Sequence, residues 1–495
     1  MTVRDDHDQL ITIHPASGTG AHAGGARAGS ACAGEAYAGD ARADAGDACA
    51  DAVSAEELAA FSRTLGRLRR LPSHDLTRLH AERQLSSFVM ESRKRRRQEA
   101  REAVRQADAE LLAATATGSR TRREDAPLAA AGGPVGELLV PHKCYVCKQA
   151  YRRVDGFYHR LCPDCAADNT TRRALGTDLR GRRALLTGGR VKIGFQLALM
   201  MLRDGAELIV TSRFPQDTVR RFRAAEGSGQ WWERLSVVGI DLRDPRQVLG
   251  LTDRLLTDGR PLDILVNNAA QTLRRPPESY ALLAAGERDA LPATDRRAIG
   301  HAPGFRPLAG PARLPSGAGS LLDFTDEAGL LPDPAPANSW STKLGSLDPA
   351  EVLETQLVNA LAPALLCDRL LPLLLSSPHP ARYIVNVSAV EGRFAVRNKT
   401  ARHPHTNMAK AALNMLTRTS AAELADQGVH MCAVDTGWIT DENPAPRKDR
   451  IAARGFRTPL DVVDGAARVY DPIVRGEAGD PVSGVFLKDY RVAEW

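Results

Sequence analysis

The stretch Arg183-Ala-Leu-Leu-Thr-Gly-Gly-Arg-Val-Lys-Ile-Gly194 decides the fold. Its first four residues predict a strand, the next eight a turn containing three glycines, and Phe195 to Arg203 a helix. Such a strand-turn-helix brings backbone N–H groups and the positive end of the helix dipole up to a pyrophosphate. Thr187, Gly188, Gly189, Arg190, Lys192, Ile193 and Gly194 are therefore candidate dinucleotide contacts.

Further short apolar runs alternate with helix-length segments as far as the C-terminus. A second strand, 206–211, ends in Ser212-Arg213. In a dinucleotide fold this point meets the adenosine ribose, where an acid accepts from a 2′-OH and an Arg accommodates a 2′-phosphate. Arg213, with Arg190 and Lys192 nearby, favours NADP(H) over NAD(H). A third strand, 236–240, ends in Asp241-Leu242, and a fourth, 262–266, in Asn267-Asn268-Ala269-Ala270. A fifth, 384–387, runs into Ser388, and a sixth reaches Asp435 ahead of Thr436-Gly437. This alternation predicts an α/β protein, a Rossmann-type doubly wound parallel sheet with helices on both faces.

In this order the motifs resemble the short-chain dehydrogenase/reductase family over about residues 180–495. Thr187, Gly188 and Gly194 match the family's glycine loop, and Asn267, Asn268 and Ala269 its Asn-Asn-Ala motif. The resemblance implies an oxidoreductase passing hydride to or from a carbonyl or enone of a small molecule. It implies that Asp241 contacts the adenine, that Ser388 is the catalytic serine and that Lys410 binds the nicotinamide ribose. It further implies that Asn359 supports a proton relay, that the Thr436-Gly437 loop lies over the nicotinamide, and that copies assemble through the helices carrying Asn359 and Lys410.

Three departures stand out. Lys192 replaces the glycine in the middle of the loop; a negative φ there would accommodate it. The family's proton donor is a Tyr four residues before the Lys, and here that residue is Thr406, whose aliphatic hydroxyl does not ionise near neutrality. His403, seven residues before the Lys as in the enoyl reductases, and His405 are the candidate replacements, since imidazolium is an acid of suitable strength. Finally, an insertion at 271–347, with Tyr280, Phe305, Phe324 and Trp340 as apolar anchors, reads either as a substrate lid or as a loose surface excursion. The missing Tyr leaves open a second reading, a catalytically degenerate dinucleotide-binding sensor or scaffold.

Upstream stand Cys144-Tyr-Val-Cys147 and Cys162-Pro-Asp-Cys165, fourteen residues apart. Two C-x-x-C pairs at this spacing predict a closed tetrahedral Zn²⁺ site, structural because no coordination position stays open. The metal would supply the folding energy of a zinc-ribbon-like module at 138–172 that is too small to fold on its core alone. His142 and His159 are less favoured ligands.

The rest of the chain carries less chemistry. Residues 1–54, rich in Ala, Gly and Asp, predict a disordered tail, in which Cys32 and Cys49 are incidental. Residues 55–117 predict helices bearing the basic run Arg93-Lys-Arg-Arg-Arg97, and 118–137 a linker. The run reads as a solvated face, and a net charge of +6 over 495 residues gives no reason to expect a nucleic-acid partner. A protein partner would meet the zinc module or these helices. The apolar run 361–375 is broken by Asp368 and Arg369, and the acidic N-terminus has no signal-peptide core, so a cytoplasmic protein without a membrane span is expected.

Overall fold

The computed structural model describes residues 53–130, 132–308, 325–396 and 399–495. The tail at 1–52 and the anchor Phe324 lie outside the described residues. The chain divides into two units, Met1–Arg105 and Gln106–Trp495.

The first unit holds helix Ala55–Leu68 and most of helix Leu76–Ala113. Ser54 opens the former with a capping box on Glu57. Arg93–Arg97 are exposed, and Arg95 pairs with Glu99 at 3.3 Å.

The second unit contains a nine-stranded sheet. Its strands are β3 (Arg183–Leu186), β4 (Glu207–Ser212), β5 (Leu235–Gly239), β6 (Ile264–Asn267), β7 (Ile299–His301), β8 (Arg382–Ser388), β9 (Val429–Asp435), β10 (Phe486–Lys488) and β11 (Arg491–Ala493). The spatial order is β11-β10-β9-β8-β6-β3-β4-β5-β7, and every pairing is parallel except β10 with β11. Strand residues alternate between two cores, as period-2 geometry requires. Ala184, Leu186, Val210, Val266 and Val385 face one, with helices Lys192–Arg203, Pro215–Ala224 and Val462–Glu477. Leu185, Ile209, Leu265, Ile384 and Met431 face the other, with Pro245–Asp258, Ala362–Leu375 and Pro404–Asp426. All seven residues of β8 are buried, as in a strand covered on both faces. The doubly wound α/β fold expected from the sequence is the fold observed.

The continuous helical stretch Pro349–Leu375 is long and apolar enough to cross a bilayer. Half of its apolar window is nevertheless buried inside this fold, where Leu366, Leu370 and Leu374 join the second core.

Two segments are better ordered than their composition suggests. In its described parts, 271–308 and 325–347, the insertion is no loose excursion: it supplies β7, which lengthens the sheet beyond β5, and Glu287, whose carboxylate accepts from the backbone of Gln216 and Asp217 at 3.1 and 2.8 Å. The 118–137 segment is no free linker. Arg122 donates to the carbonyls of Thr458 and Leu460, Leu128 N donates to Asp461 at 2.9 Å, and β1 (Pro134–Lys143) begins inside the segment. Specific tertiary hydrogen bonds override a composition rich in Gly, Ala and Arg.

Candidate functional site

The turn after β3 is closely packed at each of its glycines. A Cβ on Gly188 would lie 2.9 Å from Ala269 Cα, one on Gly189 2.6 Å from Val210 Cγ1, and one on Gly194 2.2 Å from the Gly188 carbonyl oxygen. Thr187 ties the turn to the end of β6: its hydroxyl accepts from the Asn268 and Ala269 amides at 3.0 Å each. The Asn268 side chain in return donates to the Thr187 and Gly188 carbonyls, also at 3.0 Å. Helix Lys192–Arg203 starts here with no side chain capping its N-terminus, so its first amides are available to an anion. Ile193 belongs to packing, its side chain lying where a Cβ on Gly465 would fall.

Lys192 departs from expectation. Its φ is +54°, not negative. A left-handed non-glycine residue costs about 1 kcal/mol, so the loop keeps the glycine conformation without the glycine. Lys192→Gly should raise stability by about that amount, as read from the midpoint of urea unfolding.

Beside the carboxyl ends of β3, β4 and β5, Arg190 is not available for a phosphate. It is buried, with Nη1 on Asp217 at 2.6 Å and Nη2 on the Ala328 carbonyl at 2.8 Å, so it braces the insertion. Arg213 keeps its charge open. Its guanidinium lies 5.2 Å from the ring of Tyr280 and 5.7 Å from that of Phe214, with no carboxylate bonded to it among the described residues. Ser212 Oγ accepts from Phe214 N at 3.0 Å. Asp241 is held by Arg243 at 2.6 Å, and Leu242 is buried. Burial pushes the Asp241 carboxyl up, but Arg243 outweighs it and the net shift is downward.

At the carboxyl ends of β8 and β9 the remaining candidates gather. Lys410 Nζ is buried and donates to the Val387 carbonyl at 2.7 Å, one residue before Ser388. Burial pushes its ammonium down to about 8, although Glu391 opposes that. Ser388 Oγ donates to Asn414 Oδ1 at 2.5 Å. Asn414 follows Lys410 by one helical turn, a spacing that would have found it in the sequence. The Asn359 side chain is spent on the insertion, accepting from Gln271 N at 2.6 Å and donating to its carbonyl at 3.0 Å. Thr406 is buried, and its hydroxyl has no hydrogen-bond partner among the described residues. Thr436 is half-buried, and Gly437 N donates to Asp435 at 2.9 Å.

The proposal of an imidazolium at His403 is not supported. Its ring stacks on Trp340 of the insertion at 4.0 Å, and Nδ1 lies 3.1 Å from the Trp340 carbonyl. Burial pushes its pKa down to about 4, leaving it neutral at pH 7. The imidazole there is stacked on Trp340 and neutral, not the imidazolium expected from the sequence. His405 is also buried, with Nε2 3.5 Å from Glu351 Oε1, on the side facing helix Pro349–Gln356.

A cleft of about 470 Å³ opens at the Lys192 end of the turn. Arg274 and Arg275 of the insertion, Thr440, Glu442 and Lys448 line it with Lys192. Asn338 of the insertion donates to the Glu442 carbonyl at 3.0 Å, so one wall of the cleft belongs to the insertion.

The four cysteines come together. Sγ atoms of Cys144, Cys147, Cys162 and Cys165 all lie within 4.8 Å of one another, and those of Cys147 and Cys162 are 3.6 Å apart. Tetrahedral thiolate ligands on Zn²⁺ at 2.3 Å would sit about 3.8 Å apart, so the set fits one ion. His159 is not in the cluster; it is buried against Thr117. The first pair occupies the turn between β1 and β2 (Ala150–Asp155), but the second starts helix Pro163–Arg173. The module is thus a hairpin and a helix.

The chain matches two family descriptions, "short chain dehydrogenase" over residues 182–284 and "Enoyl-(Acyl carrier protein) reductase" over 329–458. An uncharacterized protein of Acanthamoeba polyphaga mimivirus is 30% identical over 349 residues, 67% of this chain and 71% of its own length. The peroxisomal 2,4-dienoyl-CoA reductase of Rattus norvegicus is 29% identical over 117 residues, 23% of this chain and 34% of its own. A Burkholderia cenocepacia short chain dehydrogenase crystallised with NADP is 22% identical, with a TM-score of 0.42 over 63% of this chain and 97% of that one.

Proposed function

From the premise that this chain belongs to the short-chain dehydrogenase/reductase family, we propose that it is an NADP(H)-dependent oxidoreductase acting on a carbonyl or enone, with Lys410 as its proton source. The observation that carries the reading is the placement of Lys410, buried and bonded to the carbonyl before Ser388, where burial pushes its ammonium down to about 8. An ammonium of that strength is matched to proton donation near neutral pH.

The residues present fit the dinucleotide. The glycines let the turn pack tightly on Ala269, Val210 and itself, the uncapped helix start offers its amides to a phosphate, and Arg213, which donates to the Tyr280 hydroxyl and pairs with no carboxylate among the described residues, would meet a 2′-phosphate. Gly188, Gly189, Gly194, Arg213, Asn268, Ala269, Thr436 and Gly437 would hold it. When bound, the dinucleotide supplies or accepts hydride. Ser388, turning its O–H from Asn414 to the substrate oxygen, would polarise that oxygen, and Lys410 would deliver the proton that the absent Tyr would have given. Trp340 stacked on His403 excludes water from that end. The four-cysteine module would hold a structural Zn²⁺.

Titration of the full chain with NADPH and NADH tests the cofactor assignment. NADPH should bind more tightly, and Arg213→Ser should erase the preference, a change of about 10- to 100-fold for one charge-assisted contact. Binding of neither nucleotide by folded chain overturns the reading. The sensor reading is favoured by two observations, the occupation of the Asn359 amide and Thr406's lack of acid chemistry. It predicts NADPH binding with no turnover on carbonyl or enone panels.

A further inference from the structure

Tyr145 sits between two of the clustered cysteines and touches the other end of the protein's chemistry. Its backbone N–H donates to the Arg160 carbonyl at 2.7 Å, which ties the first cysteine turn to the second limb of the module. Its side chain leaves the module. The hydroxyl oxygen accepts from the Trp438 amide at 3.0 Å and lies 3.6 Å from where a Cβ on Gly437 would be. Trp438 is the third residue after β9, in the turn that carries Thr436 and Gly437.

That turn is gripped from a second side. Asp435 accepts from Gly437 N at 2.9 Å and from Lys488 Nζ at 3.0 Å, and Lys488 also lies 5.6 Å from the centre of the Tyr145 ring. Packing continues the connection, since Ile439, Leu460 and Val462 share one apolar cluster with Cys144, Cys162 and Cys165.

We propose that Tyr145 is a positioning residue through which the four-thiolate centre sets the turn at 436–440, so that metal occupancy controls affinity for the dinucleotide. The proposal rests on the readings that this turn faces the dinucleotide and that the thiolates hold a metal. Loss of the ion would release the cysteine turn, and with it the acceptor for the Trp438 amide.

The test uses the full chain with its metal content measured. Tyr145→Phe should retain one metal per chain while binding NADPH roughly tenfold more weakly, the worth of one hydrogen bond. In chain loaded with Co²⁺, the thiolate absorption bands should shift when NADPH is added, a response that needs no variant and that Tyr145→Phe should reduce. A wild-type chain that binds no NADPH overturns the oxidoreductase reading and this inference with it; one that binds no metal overturns the metal reading and this inference. Wild-type chain whose NADPH affinity is equal with and without metal, or a Tyr145→Phe chain matching wild type in affinity and cobalt response, overturns this inference alone.

Discussion

Lys410→Met should lower kcat/KM by about 10²- to 10⁴-fold, the range for loss of a positioned proton donor, while leaving the protein more stable at pH 7. The two effects have one cause. Burial lowers the ammonium's pKa from its ordinary 10.5 to about 8, so the fold is paying for a charge it holds against solvation. A shift of that size corresponds to roughly 3 kcal/mol of instability wherever Lys410 is charged in both states. Met removes that penalty and loses the bond to the Val387 carbonyl, worth about 1–2 kcal/mol, so a net gain of about 1 kcal/mol is expected.

The sign of the pH dependence follows. Between about pH 8 and 10.5 the unfolded chain binds a proton at Lys410 that the folded chain has released. This contribution therefore increases stability as pH rises through that window, and its penalty is fully present below it. Activity in the reductive direction should run the opposite way, falling as pH rises past about 8 because the donor loses its proton. Urea unfolding and a pH–rate profile on wild type and Lys410→Met check both. A rate flat across pH 8, or a variant that keeps its turnover, removes Lys410 from the proton step.

Cys144→Ser should lower stability by on the order of 4 kcal/mol or more, the scale for loss of a structural metal. Zinc supplies on the order of 10 kcal/mol to small peptides that have no other core. Here the loss is smaller because the module also shares an apolar cluster with Ile439, Leu460 and Val462. Tyr158 donates to Asp464 at 2.6 Å and Arg173 pairs with Asp461, which anchors the module on helix Val462–Glu477. The damage should therefore reach that helix. Protection of its amides from hydrogen exchange should fall together with that of the cysteine turn, and a strong chelator should reproduce the effect in wild type. A variant with unchanged stability and metal content would show that the four thiols do not share an ion.

Much of this was legible in the chain. The run from Arg183 to Gly194 specifies strand, turn and helix through local chemistry, because a strand entering a glycine turn has few ways to continue. The order of the later strand ends then determines the doubly wound sheet, since right-handed parallel crossovers leave little topological choice. The spacing of the cysteine pairs picked out four thiols that the fold brings within 4.8 Å of one another, as a C-x-x-C turn aims both sulfurs at one point. Ser388 and Lys410 were singled out by the family resemblance, through their place after a strand and on a helix.

The rest depends on partners that are distant in sequence, and only the tertiary structure decided it. Arg190 looked like a phosphate ligand until Asp217 and Ala328 were brought to it. His403 looked like an acid until Trp340, 63 residues away, covered its ring and burial removed its charge. Lys192 takes a positive φ that its residue type disfavours, because the surrounding turn holds it there. The contact of Tyr145 with Trp438 spans 293 residues and leaves no local trace. Sequence patterns determine which backbone elements form and which residues carry useful chemistry. Protonation, charge pairing and access belong to the environment, and that environment is assembled only when the chain folds.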